Sequence, residues 1–415
     1  MSEDKRTARV ILTSATSLGL AQALAAVSGI IMARELGATS RGVVTVALTW
    51  PPIIAYLLTL GLPTVASVVV GRGREHEGEF LGFVLVYLVV IVTPASIVIA
   101  EYLPRVFSTE AQRYVQWLLR LIPFGVLFEI LAACAVARGR YRLFNTSRYL
   151  GPAVLLISLI ALERMGHFTV ENCVIVILIS NLLPTLLLTV TAGWAYISRP
   201  GSAWLDQVQL GLKYHIGGLF GLLNLRLDTL IISLIAPLST VGIYSVANNA
   251  CVPLSTLGLA ANAHVAPLAA RWERDSSLSR CSVFLKVRRL ANQFGALASG
   301  GAVIIFAVAP FVPWLFGTSF RGAVPVVRIL AIGYAFRVFA GVIVSGANGL
   351  QKSSAGNLSE LIAILFTIPL LLVLLPRYGA LGAAIASLCA YASSAVVARV
   401  LLARWLRHGR AKAPG

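Results

Sequence analysis

Charge is scarce in this chain. Only 12% of its 415 residues are Asp, Glu, Lys or Arg, about half the share of an ordinary soluble domain, and 58% are hydrophobic. A water-soluble fold is thereby excluded, and no polar stretch is long enough for a separate soluble domain. Acids are scarcer still, with 16 Asp and Glu against 34 Lys and Arg. Apart from Glu3-Asp4 at the N-terminus no adjacent acid pair is present, and no Ser-His-Asp arrangement and no long outer loop is there to carry catalysis, so an enzyme is not expected. Cysteine is limited to Cys134, Cys173, Cys251, Cys281 and Cys389, with no disulfide framework and no metal-ligand spacing. The net charge of +18 would suit a nucleic-acid binder, but the basic residues sit in the gaps between apolar runs, which is the positive-inside pattern of a membrane protein.

What fills the sequence is a series of apolar runs, each near the roughly 20 residues that a helix needs to cross a ~30 Å hydrocarbon core. They predict spans at 10–33, 43–70, 80–100, 114–137, 149–162, 172–197, 214–236, 240–265, 291–316, 325–347, 358–376 and 379–403. Lys5, Arg6 and Arg9 ahead of the first run imitate a secretory signal, with Ala21-Gln22-Ala23 as its cleavage site. The run continues past signal length through Ile31, so it reads as a retained first span. The N-terminus, every second loop and the tail hold 22 of the 34 basic residues, and the opposite loops hold 7. That bias places both termini, Arg138, Arg140, Arg142, Arg148 and the segment 271–289 in the cytoplasm.

The chain repeats itself. Gly42-Val43-Val44-Thr45-Val46-Ala47 returns 200 residues later as Gly242-Ile243-Tyr244-Ser245-Val246-Ala247. Leu119 to Glu129 aligns with Val327 to Arg337 at an offset of 208, keeping Arg, Gly and Phe in register, and Leu103-Pro104-Arg105-Val106-Phe107 answers Val312-Pro313-Trp314-Leu315-Phe316. Two halves of six helices, 1–200 and 201–415, are implied. An even number of crossings makes the repeat parallel, an arrangement that transporters use.

Eight charged residues fall inside the spans: Arg120, Glu129, Arg226, Asp228, Arg328, Arg337, Glu360 and Arg399. Charges at membrane depth normally face a cavity or a partner. Arg399 and Glu360 lie near helix ends, where a long side chain reaches the head groups. Arg120 and Arg328 occupy equivalent places toward the outer surface. Glu129, Arg226, Asp228 and Arg337 are deep, and either form structural ion pairs or line a path for cargo. Glu129 and Arg337 are repeat equivalents of opposite sign, which suits a bridge across the halves. Asn224 and Asp228, four apart, share a helix face that can hold a proton or Na⁺, whereas Arg226 points away from Asp228. The balance of five arginines to three carboxylates favours an anionic substrate. Pro51-Pro52 and Pro253, near-equivalents in the repeat, predict kinks.

These residues resemble the multidrug/oligosaccharidyl-lipid/polysaccharide exporter superfamily, and within it the Wzx-type polysaccharide transporters. The likeness rests on Ala33-Arg34-Glu35-Leu36-Gly37 leading to Gly42, on Leu223-Asn224-Leu225-Arg226-Leu227-Asp228 with Gly242-Ile243-Tyr244, and on Leu315-Phe316-Gly317, Arg328-Ile329-Leu330 and Asn348-Gly349-Leu350. It implies an all-α polytopic membrane protein of about twelve helices in two pseudo-symmetric six-helix bundles, working by alternating access in a bacterial plasma membrane. It also implies a polyprenyl-diphosphate-linked oligosaccharide as cargo. Arginine forks suit diphosphate oxygens, so Arg226 and Arg337 are the expected head-group contacts, with Arg120 and Arg328 secondary. No cofactor is expected beyond coupling to Na⁺ or H⁺ through Asp228, Asn224 or Glu129. The expected partners are the lipid-linked glycan, membrane lipids and polysaccharide-assembly proteins. The fourteen-helix lipid II flippases of the same superfamily are similar too, but twelve spans suit this chain better. The competing readings are a small-molecule exporter of the multidrug type and, further off, a membrane glycan polymerase or glycosyltransferase.

Overall fold

The computed structural model describes residues 3–70, 74–192, 197–199, 204–274, 279–350 and 353–411; several side chains within these ranges, Asn224 among them, lie outside the described set. Every regular element among the described residues is helical. Such an outcome follows from the bilayer, where each backbone N–H and C=O must find its partner within the segment.

The first helix, α1 (Glu3–Thr59), would be about 86 Å long if straight, nearly three hydrocarbon cores. It is not straight. At Gly37 the backbone takes φ 72° and ψ 179°, outside the helical region and open chiefly to glycine, so the charged Arg34-Glu35 gap becomes a corner between two helical arms. The second arm runs through Pro51-Pro52 and stops at Leu60-Gly61, where α2 (Leu62–Val70) begins. The predicted span 43–70 is therefore two pieces.

Next come α3 (Arg74–Tyr87), a π-helical turn at Leu88–Val92 and α4 (Thr93–Tyr102). Pro94 has no N–H to give, and the Thr93 hydroxyl donates to the Leu88 carbonyl at 2.8 Å, so the wide turn sits where the ladder is interrupted. The segments α5 (Thr109–Leu119) and α6 (Ile122–Ala137) are bent by 43° at Arg120-Leu121, with Pro123 in the first turn of α6, where a missing N–H does least harm.

The helix α7 (Tyr141–Arg164) begins eight residues before the predicted span at 149, so Arg148 lies two turns inside a helix rather than in a loop. It is followed by α8 (Val170–Thr191), capped by the Thr169 hydroxyl on the Asn172 N–H at 3.2 Å. Then come α9 (Trp204–Ile235), α10 (Leu238–Ala250) and α11 (Val252–Arg274). Pro253 falls in the first turn of α11, so the expected kink is a break at Cys251. The remaining helices are α12 (Arg280–Val308), the short α13 (Val312–Phe316), α14 (Ala323–Gly349) and α15 (Ser353–Ala411), which turns a corner at Gly379 as α1 does at Gly37.

Seven described helical stretches are long and apolar enough to cross a membrane, or eight when the bent pair α5–α6 is one span. The twelve predicted spans exceed this number for two reasons. Thr16–Thr59 and Leu358–Arg404 count once each, although each is 44 or more residues long and broken at a glycine. The other predicted spans without a counterpart are α9, part of whose side chains fall outside the described set, and the pair α10–α11, split at Cys251.

The chain divides into two compact units, Met1–Leu219 and Phe220–Gly415, with the boundary inside α9. In the first unit the start of α9 lies against the α1–α2 corner so closely that a Cβ on Gly211 would stand 2.4 Å from the Leu60 carbonyl oxygen. Small residues permit such backbone approach. In the second unit one cluster of Val265, Val287, Val342, Ile343, Ala398 and Leu402 joins α11, α12, α14 and α15.

Candidate functional site

The second unit holds a buried polar network around Asp228. That residue is 5% exposed, and its carboxylate accepts hydrogen bonds from the Thr229 N–H at 2.6 Å, the Thr229 hydroxyl at 3.2 Å, the Ser387 hydroxyl at 3.2 Å and the Tyr244 hydroxyl. The Tyr244 and Ser387 oxygens are 3.0 Å apart. A carboxylate buried in an apolar bundle is tolerable only with this many donors. Three helices supply them: α9 the acid and the threonine, α10 the tyrosine, α15 the serine. Each hydroxyl donor also has lone pairs, so a small cation would meet several oxygens on rotating the O–H groups. No group of three or more His, Cys, Asp or Glu suited to a metal ion occurs among the described residues.

Arg337 on α14 belongs to the same neighbourhood. Its Nη1 donates to the Tyr391 hydroxyl at 3.0 Å and its guanidinium lies 5.0 Å from the centre of that ring. Tyr391 and Tyr334 are 6.0 Å apart, and the Tyr334 hydroxyl donates to Asn248 Oδ1 at 3.3 Å. Asp228 and Glu360 lie within electrostatic reach of the Arg337 guanidinium. The cation is thus held by two aromatic rings and one hydroxyl, with no ion pair to a carboxylate among the described residues.

The other predicted residues stand apart from this network. Arg226 is exposed on α9, on a different face from Asp228, as two-residue spacing requires. Asn224 is on the same helix, but its side chain lies outside the described residues. Arg328 sits nine residues before Arg337, about 13 Å along α14, with its guanidinium 4.9 Å from the Phe306 ring. Arg120 and Glu129 are in the first unit, Arg120 at the α5–α6 bend and Glu129 exposed on α6.

A second polar cluster lies in the first unit. The Tyr56 ring stacks on His215 at 4.6 Å and its hydroxyl donates to the His215 carbonyl at 3.3 Å. Glu129 is within electrostatic reach of both Tyr56 and Arg148. Arg148 lies 5.1 Å from the Phe144 ring and, among the described residues, makes no ion pair with Glu129. Buried Asn145 Oδ1, one turn before Arg148, and His215 Nδ1 have no hydrogen-bond partner among the described residues. The basic end of the first unit is held differently: Arg138 donates to Glu77 at 2.6 Å and to the Ala192 carbonyl at 2.6 Å, closing the end of α8.

Sequence reasoning found Asp228 and Arg337 but not Tyr244, Ser387, Tyr334 or Tyr391, nor Tyr56, Arg148 and His215. Tyr244 carried a signal, since it stands in the repeated Gly242-Ile243-Tyr244 segment. The remaining hydroxyls had none, because Ser and Tyr are ordinary inside apolar helices.

Residues 8–271 match the sequence profile of the family described as polysaccharide biosynthesis protein. The fold is similar to that of a multidrug resistance MATE family transporter of the MOP superfamily in an inward-facing conformation, with a TM-score of 0.75 and 15% identity over 95% of this chain and 96% of that one. It is similar to the lipid II flippase MurJ in an inward closed conformation, with a TM-score of 0.73 and 13% identity over 95% and 87% of the two chains. A MOP superfamily transporter from Pyrococcus furiosus with a binding pocket of reverse polarity also matches, at a TM-score of 0.63 and 14% identity over 97% and 96%. No curated protein sequence matches the chain significantly.

Proposed function

The chain belongs to the polysaccharide biosynthesis protein family of the MOP exporter superfamily, and from that premise we propose that it moves a polyprenyl-diphosphate-linked oligosaccharide from the cytoplasmic to the outer leaflet of a bacterial plasma membrane. Alternating access of two six-helix halves is the mechanism, with the basic loops and both termini cytoplasmic. The observation that carries the reading is the family match over residues 8–271. The intramembrane excess of arginine over acid supports it, because a diphosphate and its hydrated sugars cannot enter hydrocarbon without a polar, cationic path. Arg337, held by Tyr391 rather than by a carboxylate, keeps donors for phosphate oxygens. Arg226 supplies a second cation, this one exposed, and Arg120 and Arg328 serve toward the outer surface. Asp228, ringed by hydroxyls, takes a proton or Na⁺ to couple the cycle to a gradient, with Asn224 one turn away. Proteins of polysaccharide assembly are the expected partners, and the chain itself makes or breaks no covalent bond.

The likeness to multidrug transporters favours one second reading, export of a small molecule. Proteoliposomes separate the two. The flippase reading expects labelled polyprenyl-diphosphate oligosaccharide to reach the outer leaflet only when the protein is present. Failure to move that lipid, with efflux of an organic cation, would overturn it. For coupling, Asp228→Asn is expected to abolish gradient-dependent transport. Normal, gradient-driven transport by that variant would remove Asp228 from the cycle.

A further inference from the structure

The second unit contains an apolar groove of about 810 Å³ between α12, α14 and α15, on the face of α14 turned away from Arg337. Small residues make it. Ala296, Ser299 and Ala302 on α12 form the floor and Phe336 and Phe339 on α14 a wall, while Asn292 and Arg399 stand at one end. Apart from Asn292, Ser299 and Arg399 its lining is apolar. From Asn292 to Ala307 the groove follows α12 for about 22 Å, more than half of a ~30 Å hydrocarbon core.

Its shape restricts the occupant. A slot about 22 Å long, walled by Ala, Val and Phe side chains, accepts an extended hydrocarbon chain along its length.

Charge restricts it further. Arg399 is exposed and makes no ion pair among the described residues. Arg288 and Arg289, also exposed, precede Asn292 by one turn and continue the same face of α12. Three cations at one mouth of an apolar slot form the complement of a lipid with a phosphate head group, and basic pockets between membrane helices bind such head groups.

We propose that this groove is a binding site for an anionic phospholipid of the surrounding bilayer, with its hydrocarbon lying between α12, α14 and α15 and its phosphate at Arg399, Arg288 and Arg289. The bilayer presents such lipids at far higher concentration than any transported lipid, so mass action favours them. The site is separate from the Asp228 network, and it holds whether the cargo is a lipid-linked glycan or a small molecule.

The test uses the full-length protein in vesicles of equal phosphatidylglycerol and phosphatidylcholine, re-extracted in mild detergent and weighed intact by native mass spectrometry. Wild type is expected to retain phosphatidylglycerol in preference to phosphatidylcholine. Arg399→Gln is expected to lower that preference about fivefold, the effect of one arginine near a charged lipid surface. Ser299→Trp, which fills the floor, and Val303→Trp, which blocks the exposed rim, are both expected to lose the retained lipid while their melting temperatures report folding. Any of four results overturns the proposal: no lipid on wild type, undiminished lipid on both tryptophan variants, an unchanged preference in Arg399→Gln, or a polyprenyl phosphate alone on protein taken from its native membrane.

Discussion

Removing one hydroxyl from the Asp228 network tests whether that carboxylate is ionised and held as the geometry indicates. Tyr244→Phe deletes a donor to Asp228 while keeping the ring, which is 1% exposed and fills its site. Three donors remain on the acid: the Thr229 N–H, the Thr229 hydroxyl and the Ser387 hydroxyl. Ser387 keeps its bond to the carboxylate, so no new group is stranded. The loss is one hydrogen bond to a charged acceptor, about 1.5–3 kcal/mol. In the Asp228→Asn background the acceptor is neutral and the same deletion removes only about 0.5–1.5 kcal/mol. A double-mutant cycle therefore expects a coupling of about 1–1.5 kcal/mol between the two positions. Thermal unfolding of the four detergent-purified proteins measures it. Equal losses from Tyr244→Phe in both backgrounds would mean that Asp228 carries no charge in the folded protein, and the account of the network would fall.

Three further outcomes follow from the packing. Gly211→Ala is expected to lower stability by about 1–3 kcal/mol, since its Cβ would stand 2.4 Å from the Leu60 oxygen, whereas Gly221→Ala on the same helix, with nothing within 4 Å, is expected to raise it by about 0.4–1 kcal/mol; melting curves of the two compare them directly. Arg138→Ala leaves the nearly buried Glu77 carboxylate unpaired and the Ala192 carbonyl uncapped, so a loss of about 3 kcal/mol in the same assay is expected, and no loss would show the pair to be solvated. Arg337→Lys keeps the charge but not the fork, and transport of a diphosphate-linked cargo in proteoliposomes is expected to fall about tenfold with little change in melting temperature; transport at the wild-type rate would exclude bidentate phosphate contact at this position.

Legibility differed from one part of the molecule to another. The helical class and the breaks after the spans 10–33 and 358–376 were visible because hydrophobicity and its interruption by charge are local properties of the chain, whereas the corners themselves, at Gly37 and Gly379, came from the structure. Depth in a span was visible too; it singled out Glu129, Arg226, Asp228 and Arg337, of which Asp228 and Arg337 fall in the buried network of the second unit. The start of α7 was misplaced because Arg142 and Arg148 were read as a loop, whereas the helix opens at Tyr141, directly after the Gly139-Arg140 turn. The break at Leu60-Gly61 left no mark in the apolar pattern, because both residues are as apolar as their neighbours; positive φ at both and the close passage of Gly211 mark the corner in the structure.

Composition and the period of the apolar runs thus determined that this chain is an all-helical membrane protein, and its repeated segments and motifs pointed to the exporter superfamily. The tertiary structure alone decided what the buried charges touch. Asp228 meets Tyr244 from 16 residues away and Ser387 from 159, and Arg337 meets Tyr391 from 54. Nothing local in a helix announces which of its faces will meet which neighbour. That choice is made by packing, and it brings three ordinary hydroxyls onto a buried carboxylate and a half-buried arginine.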